Sequence, residues 1–239
     1  MSESEKFEQM DIAELEQYIQ NHPYDQYYKN KDAWRIFAYR LLNGTGCPKD
    51  PGKALDYFEE LANEDPKSAL QAGLCYYYGI GTSQDLKEAL KYFKYTSDNL
   101  GLISRTGYLW QGKCLLKMQK GQEAVEYLEQ VMKTAQAPKG PAHTKPEIIK
   151  EAKCLLGMCY YYGIGVKENK ETAFQYLKEA AREEGANLTA QYYLAQCYQY
   201  GIGTEQNPER AEHWRSVCFE QDYKELVNEI EELLGVSIK

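Results

Sequence analysis

A nine-residue motif that recurs along the chain constrains its fold more than any other feature. Near copies are Gly73-Leu-Cys-Tyr-Tyr-Tyr-Gly-Ile-Gly81, Gly157-Met-Cys-Tyr-Tyr-Tyr-Gly-Ile-Gly165 and Ala195-Gln-Cys-Tyr-Gln-Tyr-Gly-Ile-Gly203. A weaker copy is Ala38-Tyr-Arg-Leu-Leu-Asn-Gly-Thr-Gly46. Recurrence at intervals of about 20 to 50 residues is typical of proteins built from stacked supersecondary units. The sequence therefore predicts a repeat protein rather than a single compact core.

The longest interval between copies hides one further unit. Its Gly112 and Cys114 occupy the motif positions of Gly73 and Cys75. Its turn, residues 118–121, lacks the Gly-x-Gly of the other copies. This unit is therefore a divergent repeat, and the array runs through the middle of the chain without a break.

Each turn is followed by a second predicted helix, in which an alanine precedes an aromatic residue by three positions. The pairs are Ala54 and Tyr57, Ala89 and Tyr92, Ala124 and Tyr127, Ala173 and Tyr176, and Ala211 and Trp214. Residues three apart lie on one face of an α-helix. Two amphipathic helices per unit predict an all-α fold, a right-handed α-solenoid of about five helix-turn-helix repeats with N- and C-terminal capping helices.

The motif positions also predict the domain boundaries. Residues 1–32 should form an N-terminal capping helix region, with Asp11 as the N-cap of a helix, and residues 221–239 a C-terminal capping helix. Residues 33–220 should form the repeats, at about 33–66, 67–104, 105–146, 147–186 and 187–220. The proline-rich segment 137–146 cannot be helical and predicts a loop.

This pattern resembles that of the Sel1-like repeat family of tetratricopeptide-type α-solenoids. The residues that match the family pattern, apart from a spacing of one, are Ala152, Leu156, Gly157, Tyr160, Gly163, Gly165, Ala173, Tyr176, Ala180 and Ala181. The divergent unit at about 105–146 resembles a plain tetratricopeptide repeat. The resemblance covers residues from about 33 to 220. It implies a non-enzymatic adaptor or scaffold for protein–protein interactions.

The acidic balance of the chain argues against several classes of partner. The formal net charge is -8 and the sequence pI is about 5.1. Because no long run of Lys or Arg offsets this charge, we expect no nucleic-acid partner. The sequence has no stretch of about 18 consecutive apolar residues, and its N-terminus lacks the apolar core of a signal peptide. We therefore expect no direct membrane insertion and a cytoplasmic location.

The cysteines do not show the spacing of a reactive or metal-binding site. Their number, 7, is odd, which argues against a complete disulfide framework, and no Cys-x-x-Cys cluster occurs. Cys75, Cys114, Cys159 and Cys197 recur at one repeat position, so we expect them to be small buried apolar groups. Serine-nucleophile and phosphate-loop motifs are also missing from the sequence. We predict no catalytic residues, no metal site and no cofactor.

The first helix of each repeat supplies a candidate partner-binding face. In tetratricopeptide-type hairpins, the positions three before, one after and four after the repeat glycine face the concave groove. The candidate residues are Tyr39, Leu70, Leu74, Tyr77, Leu109, Leu116, Met158, Tyr161, Tyr192, Gln196 and Gln199. An apolar, tyrosine-rich stripe has the composition of an interface centre. The alternative is that these residues are buried against neighbouring helices.

Three functional hypotheses follow from the sequence. The first is an adaptor that binds an unidentified protein or peptide in a concave aromatic groove, with Tyr78, Tyr162 and Tyr200 as a second candidate ridge. The second is a structural subunit of a larger complex, and self-association is open in both cases. The third is a hydrolytic enzyme of the cysteine-rich Sel1-like type, which is disfavoured because the repeated cysteines occur only in the first helices.

Overall fold

The computed structural model describes residues 3–23, 30–98, 103–135, 146–182, 187–219 and 223–236. Within these ranges all regular secondary structure is helical, so the predicted all-α fold is confirmed. The chain divides into two compact units, Met1–Ile103 and Ser104–Lys239. The predicted proline-rich loop lies almost entirely outside the described residues, since helix begins again at Pro146.

Unit 1 is built from two helical hairpins and two N-terminal helices. Its described helices are α1 (Glu3–Gln9), α2 (Ile12–Asn21), α3 (Lys31–Asn43), α4 (Pro51–Leu61), α5 (Pro66–Tyr78) and α6 (Leu86–Asp98). Helices α3 and α4 form one hairpin and α5 and α6 the next, while α4 packs on α5. Both α1 and α2 lie against α3.

Unit 2 contains three hairpins and a C-terminal helix. Its described helices are α7 (Ser104–Lys117), α8 (Gly121–Ala135), α9 (Pro146–Tyr162), α10 (Lys170–Ala180), α11 (Leu188–Tyr200), α12 (Pro208–Phe219) and α13 (Tyr223–Leu234). The hairpins are α7/α8, α9/α10 and α11/α12, and consecutive hairpins pack through α8 on α9 and α10 on α11. The helix pairs thus follow the order that the repeated motif predicts.

The N-terminal region contains one helix more than the sequence predicts. The expected helix is α2, and the Asp11 side chain accepts a hydrogen bond from the Glu14 backbone N–H at 2.8 Å, which confirms Asp11 as its N-cap. Helix α1 precedes it. The Arg40 guanidinium on α3 donates to the Met10 and Glu8 carbonyls at 2.6 and 2.7 Å. These bonds attach α1 and the junction between α1 and α2 to the first hairpin.

The glycine in the first helix of a hairpin permits close contact with the second helix. A Cβ atom at Gly73 would lie 2.6 Å from the Phe93 ring, and one at Gly112 would lie 2.7 Å from the Leu128 side chain. Such approaches are shorter than van der Waals contact. The two helices therefore pack at this distance only because the first has no side chain there.

The second glycine of a Gly-x-Gly turn touches the preceding hairpin. A Cβ atom at Gly81 would overlap the Pro51 carbonyl group at the start of α4, and one at Gly203 would overlap the Lys170 carbonyl at the start of α10. Both glycines also have positive φ angles, 76° and 65°, which L side chains rarely adopt. The turn glycines therefore serve both chain reversal and the stacking of one hairpin on the next.

A buried ion pair joins the two hairpins of unit 1. Arg35 on α3 donates to the Asp65 carboxylate at 2.8 Å, and Asp65 also accepts from the Ser68 hydroxyl at 2.7 Å as the N-cap of α5. A second Arg35 N–H donates to Asp32. Burial alone would raise the pKa of the Asp65 carboxyl, but the hydrogen bonds from Ser68 and Arg35 lower it below its usual value. The carboxylate is therefore held in its charged form.

Candidate functional site

Four of the eleven candidate partner-binding residues are buried inside the chain. The exposed fraction is 4% for Tyr77, 2% for Leu109, 1% for Leu116 and 0% for Met158. The Tyr77 ring, for example, lies 6.4 Å from the Phe93 ring on the second helix of its hairpin. Side chains this deeply buried fill the space between helices, which is the alternative interpretation of the stripe. We therefore remove these four residues from the candidate surface.

The other seven candidates are half-buried. They are Tyr39, Leu70, Leu74, Tyr161, Tyr192, Gln196 and Gln199. Some already have partners within the chain, since the Arg215 guanidinium donates to Gln199 Oε1 at 2.9 Å and Lys170 Nζ lies 4.0 Å from the centre of the Tyr161 ring. Burial raises the pKa of Tyr161 to about 12. The remaining surface is therefore narrower than the sequence predicts.

The first helix α5 carries an apolar strip of three side chains that we call the α5 strip: Leu70, Leu74 and Tyr78. Residues four positions apart lie on one face of a helix. Leu70 and Leu74 are half-buried, and Tyr78 is 55% exposed. Ile80, in the turn that follows, is 37% exposed. In the described residues, Tyr200 at 68% is the other large hydrophobic side chain with comparable exposure.

The counterpart of the α5 strip on α9 is covered. It consists of Cys154, Met158 and Tyr162, of which the first two are 1% and 0% exposed. Tyr162 is half-buried, and its hydroxyl oxygen lies 3.4 Å from the hydroxyl oxygen of Tyr193 on α11. Tyr193 is a residue that sequence reasoning missed. It follows Tyr192 directly, and nothing in the motif distinguishes the two.

The C-terminal helix α13 lies against the first helices of two hairpins in unit 2, α7 and α11. Its apolar residues Val227, Leu233 and Leu234 are 7%, 6% and 3% exposed. Lys117 Nζ, at the end of α7, lies 3.9 Å from Glu232 Oε1 on α13. The sequence predicts this helix, but not which surface it contacts.

The Glu231 carboxylate places α13 beside the covered tyrosine pair. Burial raises the pKa values of Tyr162 and Tyr193, and the negative charge of Glu231 raises both further. Helix α13 thus contacts the first helices α7 and α11 of unit 2, and the charge of Glu231 acts on Tyr162 of α9. We call the surface that it contacts the unit 2 first-helix face.

A carboxylate in unit 1 holds a second pair of tyrosines. Glu59 on α4 accepts hydrogen bonds from the hydroxyls of Tyr76 at 2.7 Å and Tyr92 at 2.9 Å. The two rings are stacked, with centroids 5.8 Å apart and 11° between their planes. The hydrogen bond to Glu59 is the main cause that raises the pKa of Tyr76 to about 12. Glu59 thus joins the first hairpin to the second.

The repeated cysteines occupy the core, as predicted. Cys75 is 1% exposed, and Cys114, Cys159 and Cys197 are 0% exposed. Burial raises the pKa of Cys75 to about 11 and the pKa of Cys159 and Cys197 to about 12. At neutral pH these thiols are therefore protonated, which is the unreactive form. Their role in the structure is to fill space in the first helices.

Within the described ranges, no group of three or more His, Cys, Asp or Glu side chains is arranged to hold a metal ion. Among the helices of those same ranges, none combines the length and the apolar character needed to cross a bilayer.

Stacked helical hairpins with glycine-rich turns define an α-solenoid of helical repeats. The sequence model of the Sel1 repeat matches residues 33–65, 66–99, 150–184 and 188–214, more than half of the chain. The protein therefore belongs to the Sel1 repeat family. The model of the tetratricopeptide repeat matches residues 107–135, which confirms the prediction for the divergent unit. Sel1 and tetratricopeptide repeats generally serve as scaffolds for protein interactions.

A solved structure of a Sel1 repeat protein shares this fold. A Sel1 repeat protein from Oxalobacter formigenes is similar with a TM-score of 0.65 and 22% sequence identity, over 92% of this chain and 87% of that chain. A Sel1 repeat protein from Klebsiella pneumoniae subsp. pneumoniae has a TM-score of 0.47 and 17% identity, over 94% of this chain and 99% of that one. A third structure is c5321, a protective antigen present in uropathogenic Escherichia coli strains, with a TM-score of 0.40 and 16% identity, over 98% of this chain and 59% of that one.

Proposed function

We propose that this protein is a non-enzymatic interaction scaffold that holds an amphipathic helix of a partner protein on the α5 strip. The observation that carries the proposal is the exposure of Tyr78, 55%, at the end of the half-buried pair Leu70 and Leu74. Apolar side chains that are grouped and open to solvent mark interaction sites. Tyrosine is enriched among the residues that dominate binding energy at such sites.

The choice of a helical partner is supported by the packing of α13 in unit 2. There, α13 packs against the first helices α7 and α11. An apolar strip with a spacing of four residues is also suited to the ridge of a second helix, which inserts its own side chains at the same spacing. The other half-buried candidates stay proposed as partner contacts within their own units, Tyr39 in unit 1 and Tyr161, Tyr192, Gln196 and Gln199 in unit 2.

A cytosolic location is part of this proposal. The six cysteines whose side chains the structure describes are free thiols, which is the usual state in a reducing compartment. The acidic net charge of -8 also favours a protein partner over nucleic acid.

The test is site-directed photocrosslinking in cells. A photoreactive phenylalanine analogue at position 78 should form an adduct with a helical segment of a partner protein. The same analogue at position 56, exposed on the second helix α4, is the matched control and should not form that adduct. The substitution Leu74→Arg should abolish the adduct, while Leu90→Arg, at a half-buried position on α6, should leave it. Identical adducts from positions 78 and 56 would reject the α5 strip as the binding site.

A further inference from the structure

We propose that α13 is a displaceable ligand within the chain, and that the unit 2 first-helix face binds acidic amphipathic helices of other proteins in its place. This inference deepens the proposed function, since both treat the first-helix faces as helix-binding surfaces. It concerns a different surface, however, which lies on unit 2 and is occupied rather than open.

The first step of the argument is the position of α13. It packs against α7 and α11, and Glu231 acts on the hydroxyls of Tyr162 and Tyr193. A helix that closed the array at its end would pack mainly on the last hairpin. Instead, α13 reaches back to α7, the first helix of unit 2. It therefore occupies the surface that binds partners in a helical repeat scaffold.

The second step is how the described side chains of α13 are distributed between its two sides. Its buried apolar residues are Val227, Leu233 and Leu234, with Ile230 half-buried between them. The opposite side is open to solvent, with Glu225, Asn228, Glu229 and Glu232 all exposed. The Lys117–Glu232 pair is long, at 3.9 Å, and the Glu232 side chain is 78% exposed, so it adds little. One apolar edge supplies most of the attachment.

The third step is the chemistry of the occupant. The apolar positions 227, 230 and 234 follow the i, i+3, i+7 spacing of a helix that binds in a groove. Acidic residues border this edge where the face presents Lys117 and the two tyrosine hydroxyls. A competing helix needs the same apolar spacing, and a carboxylate at the position of Glu231 or Glu232 adds a weaker attraction to this face.

The covalent connection decides when exchange occurs. Residues 220–222 join α12 to α13, so the face experiences its own helix at an effective concentration on the order of millimolar. A separate helix with the same intrinsic affinity therefore competes poorly with the tethered α13. Weakening α13 by one substitution should therefore open the face to the same helix added as a separate peptide.

The test uses the full chain and a fluorescent peptide of residues 221–236, with anisotropy as the readout. The full-length variant Leu234→Asp should bind the peptide at least 10-fold more tightly than the unaltered chain, because its own α13 no longer competes. The variant Asn228→Asp changes an exposed residue of the same helix and should behave like the unaltered chain. Equal peptide affinity for Leu234→Asp and the unaltered chain, or no binding to either, would overturn the proposal.

Two further variants locate the binding surface. Lys117→Glu in the Leu234→Asp background should weaken the peptide, and a peptide carrying Glu232→Lys should recover part of the loss. Leu74→Arg on α5 in the same background should not affect the peptide. If Leu74→Arg abolishes peptide binding, the peptide occupies unit 1, which supports the proposed function but overturns the role of α13.

Hydrogen exchange on the unaltered chain tests the proposal without any risk of misfolding. A displaceable helix opens locally, so its amides should exchange faster than those of α9 and α11. Addition of unlabelled 221–236 peptide at millimolar concentration should raise the exchange of α13 further. Exchange of α13 as slow as that of α9 would show that it is a fixed part of the core and would overturn the proposal.

Discussion

Two copies of one sequence, Cys-Tyr-Tyr-Tyr-Gly-Ile-Gly, end α5 in unit 1 and α9 in unit 2. The ring of the first tyrosine stacks in the same way in both. Tyr76 stacks on Tyr92 at 5.8 Å and 11°, and Tyr160 stacks on Tyr176 at 5.8 Å and 12°. The third tyrosine differs between the two copies. Tyr78 is 55% exposed, whereas Tyr162 is half-buried beside Tyr193.

The difference separates contacts made within a hairpin from contacts made between elements. The first tyrosine faces the second helix of its own hairpin, so two identical hairpins place it in the same way. The third tyrosine faces outward, and its surroundings depend on what packs there. In unit 2 the neighbouring side chain is Tyr193 of α11. One motif therefore leaves its third tyrosine exposed in one place and half-buried in another.

The largest expected effect on stability comes from comparing the N-cap residues of two helices, Asp65 of α5 in unit 1 and Asn187 of α11 in unit 2. Asp65→Asn keeps an N-cap side chain on α5 but removes the charge that pairs with buried Arg35. Removal of one partner of a buried ion pair should lower the free energy of unfolding by about 3 kcal/mol. In unit 2, Asn187 caps α11 without a charge, and Asn187→Ala should cost only about 1 kcal/mol. Urea unfolding of both variants checks this, and equal losses would contradict the prediction.

The same carboxylate predicts a pH dependence. The folded-state pKa of Asp65 is lowered relative to about 3.9 in an unfolded chain. Its contribution is therefore fully present above about pH 4 and is lost as the pH falls through the folded-state pKa. Unfolding curves of the unaltered chain and of Asp65→Asn should converge in acid, and a constant difference down to pH 2 would contradict this.

The next largest effect on stability concerns the glycines at the close helix contacts of two hairpins, α5/α6 and α9/α10. The added methyl group of Gly73→Ala would lie 2.6 Å from the buried Phe93 ring, whereas in Gly157→Ala it would lie 3.0 Å from Leu177 Cγ. We expect a loss of about 2 kcal/mol for Gly73→Ala from overpacking. For Gly157→Ala the gain of about 0.5–1 kcal/mol in helix propensity should offset most of the smaller strain. Calorimetry measures the stability of both variants, and a Gly157→Ala variant less stable than Gly73→Ala would contradict the prediction.

A smaller loss of stability is expected when Glu59, which binds a stacked tyrosine pair, is compared with the surface residue Glu129. Glu59 accepts from Tyr76 and Tyr92, whereas Glu129 pairs with Lys133 at 3.6 Å on the surface. Glu59→Ala should cost about 1–2 kcal/mol, since it removes charged hydrogen bonds from two hydroxyls. Glu129→Ala should cost less than about 0.5 kcal/mol. Thermal unfolding followed by circular dichroism measures both, and equal midpoints would remove Glu59 as a link between hairpins.

The smallest effect concerns the third tyrosine itself. Tyr162→Phe removes a hydroxyl 3.4 Å from the buried Tyr193 hydroxyl, and we expect a loss of about 0.5–1 kcal/mol. Tyr78→Phe alters an exposed side chain and should stay within about 0.5 kcal/mol of the unaltered chain. Guanidinium titrations of the two variants side by side give the difference. A larger loss at position 78 would mean that Tyr78 is the more tightly packed of the two.

The sequence by itself determined the hairpins. The recurrence of glycine, cysteine and tyrosine predicts the first helices, the alanine–aromatic pairs predict the second helices, and both depend on contacts within about 40 residues. The buried cysteines and the Asp11 cap follow from the same local rules. These features were predictable because each repeat specifies its own packing.

Only the tertiary structure decided which residues of the stripe are open. Tyr77 and Met158 satisfy the helical spacing of a groove, yet they are 4% and 0% exposed. The position of α13 over unit 2 also follows from no motif, since an apolar edge such as Val227 and Leu234 fits any apolar surface of suitable width. Hydrophobic burial is not directional, so the pattern of a helix states that it will pack, and the assembled fold determines where.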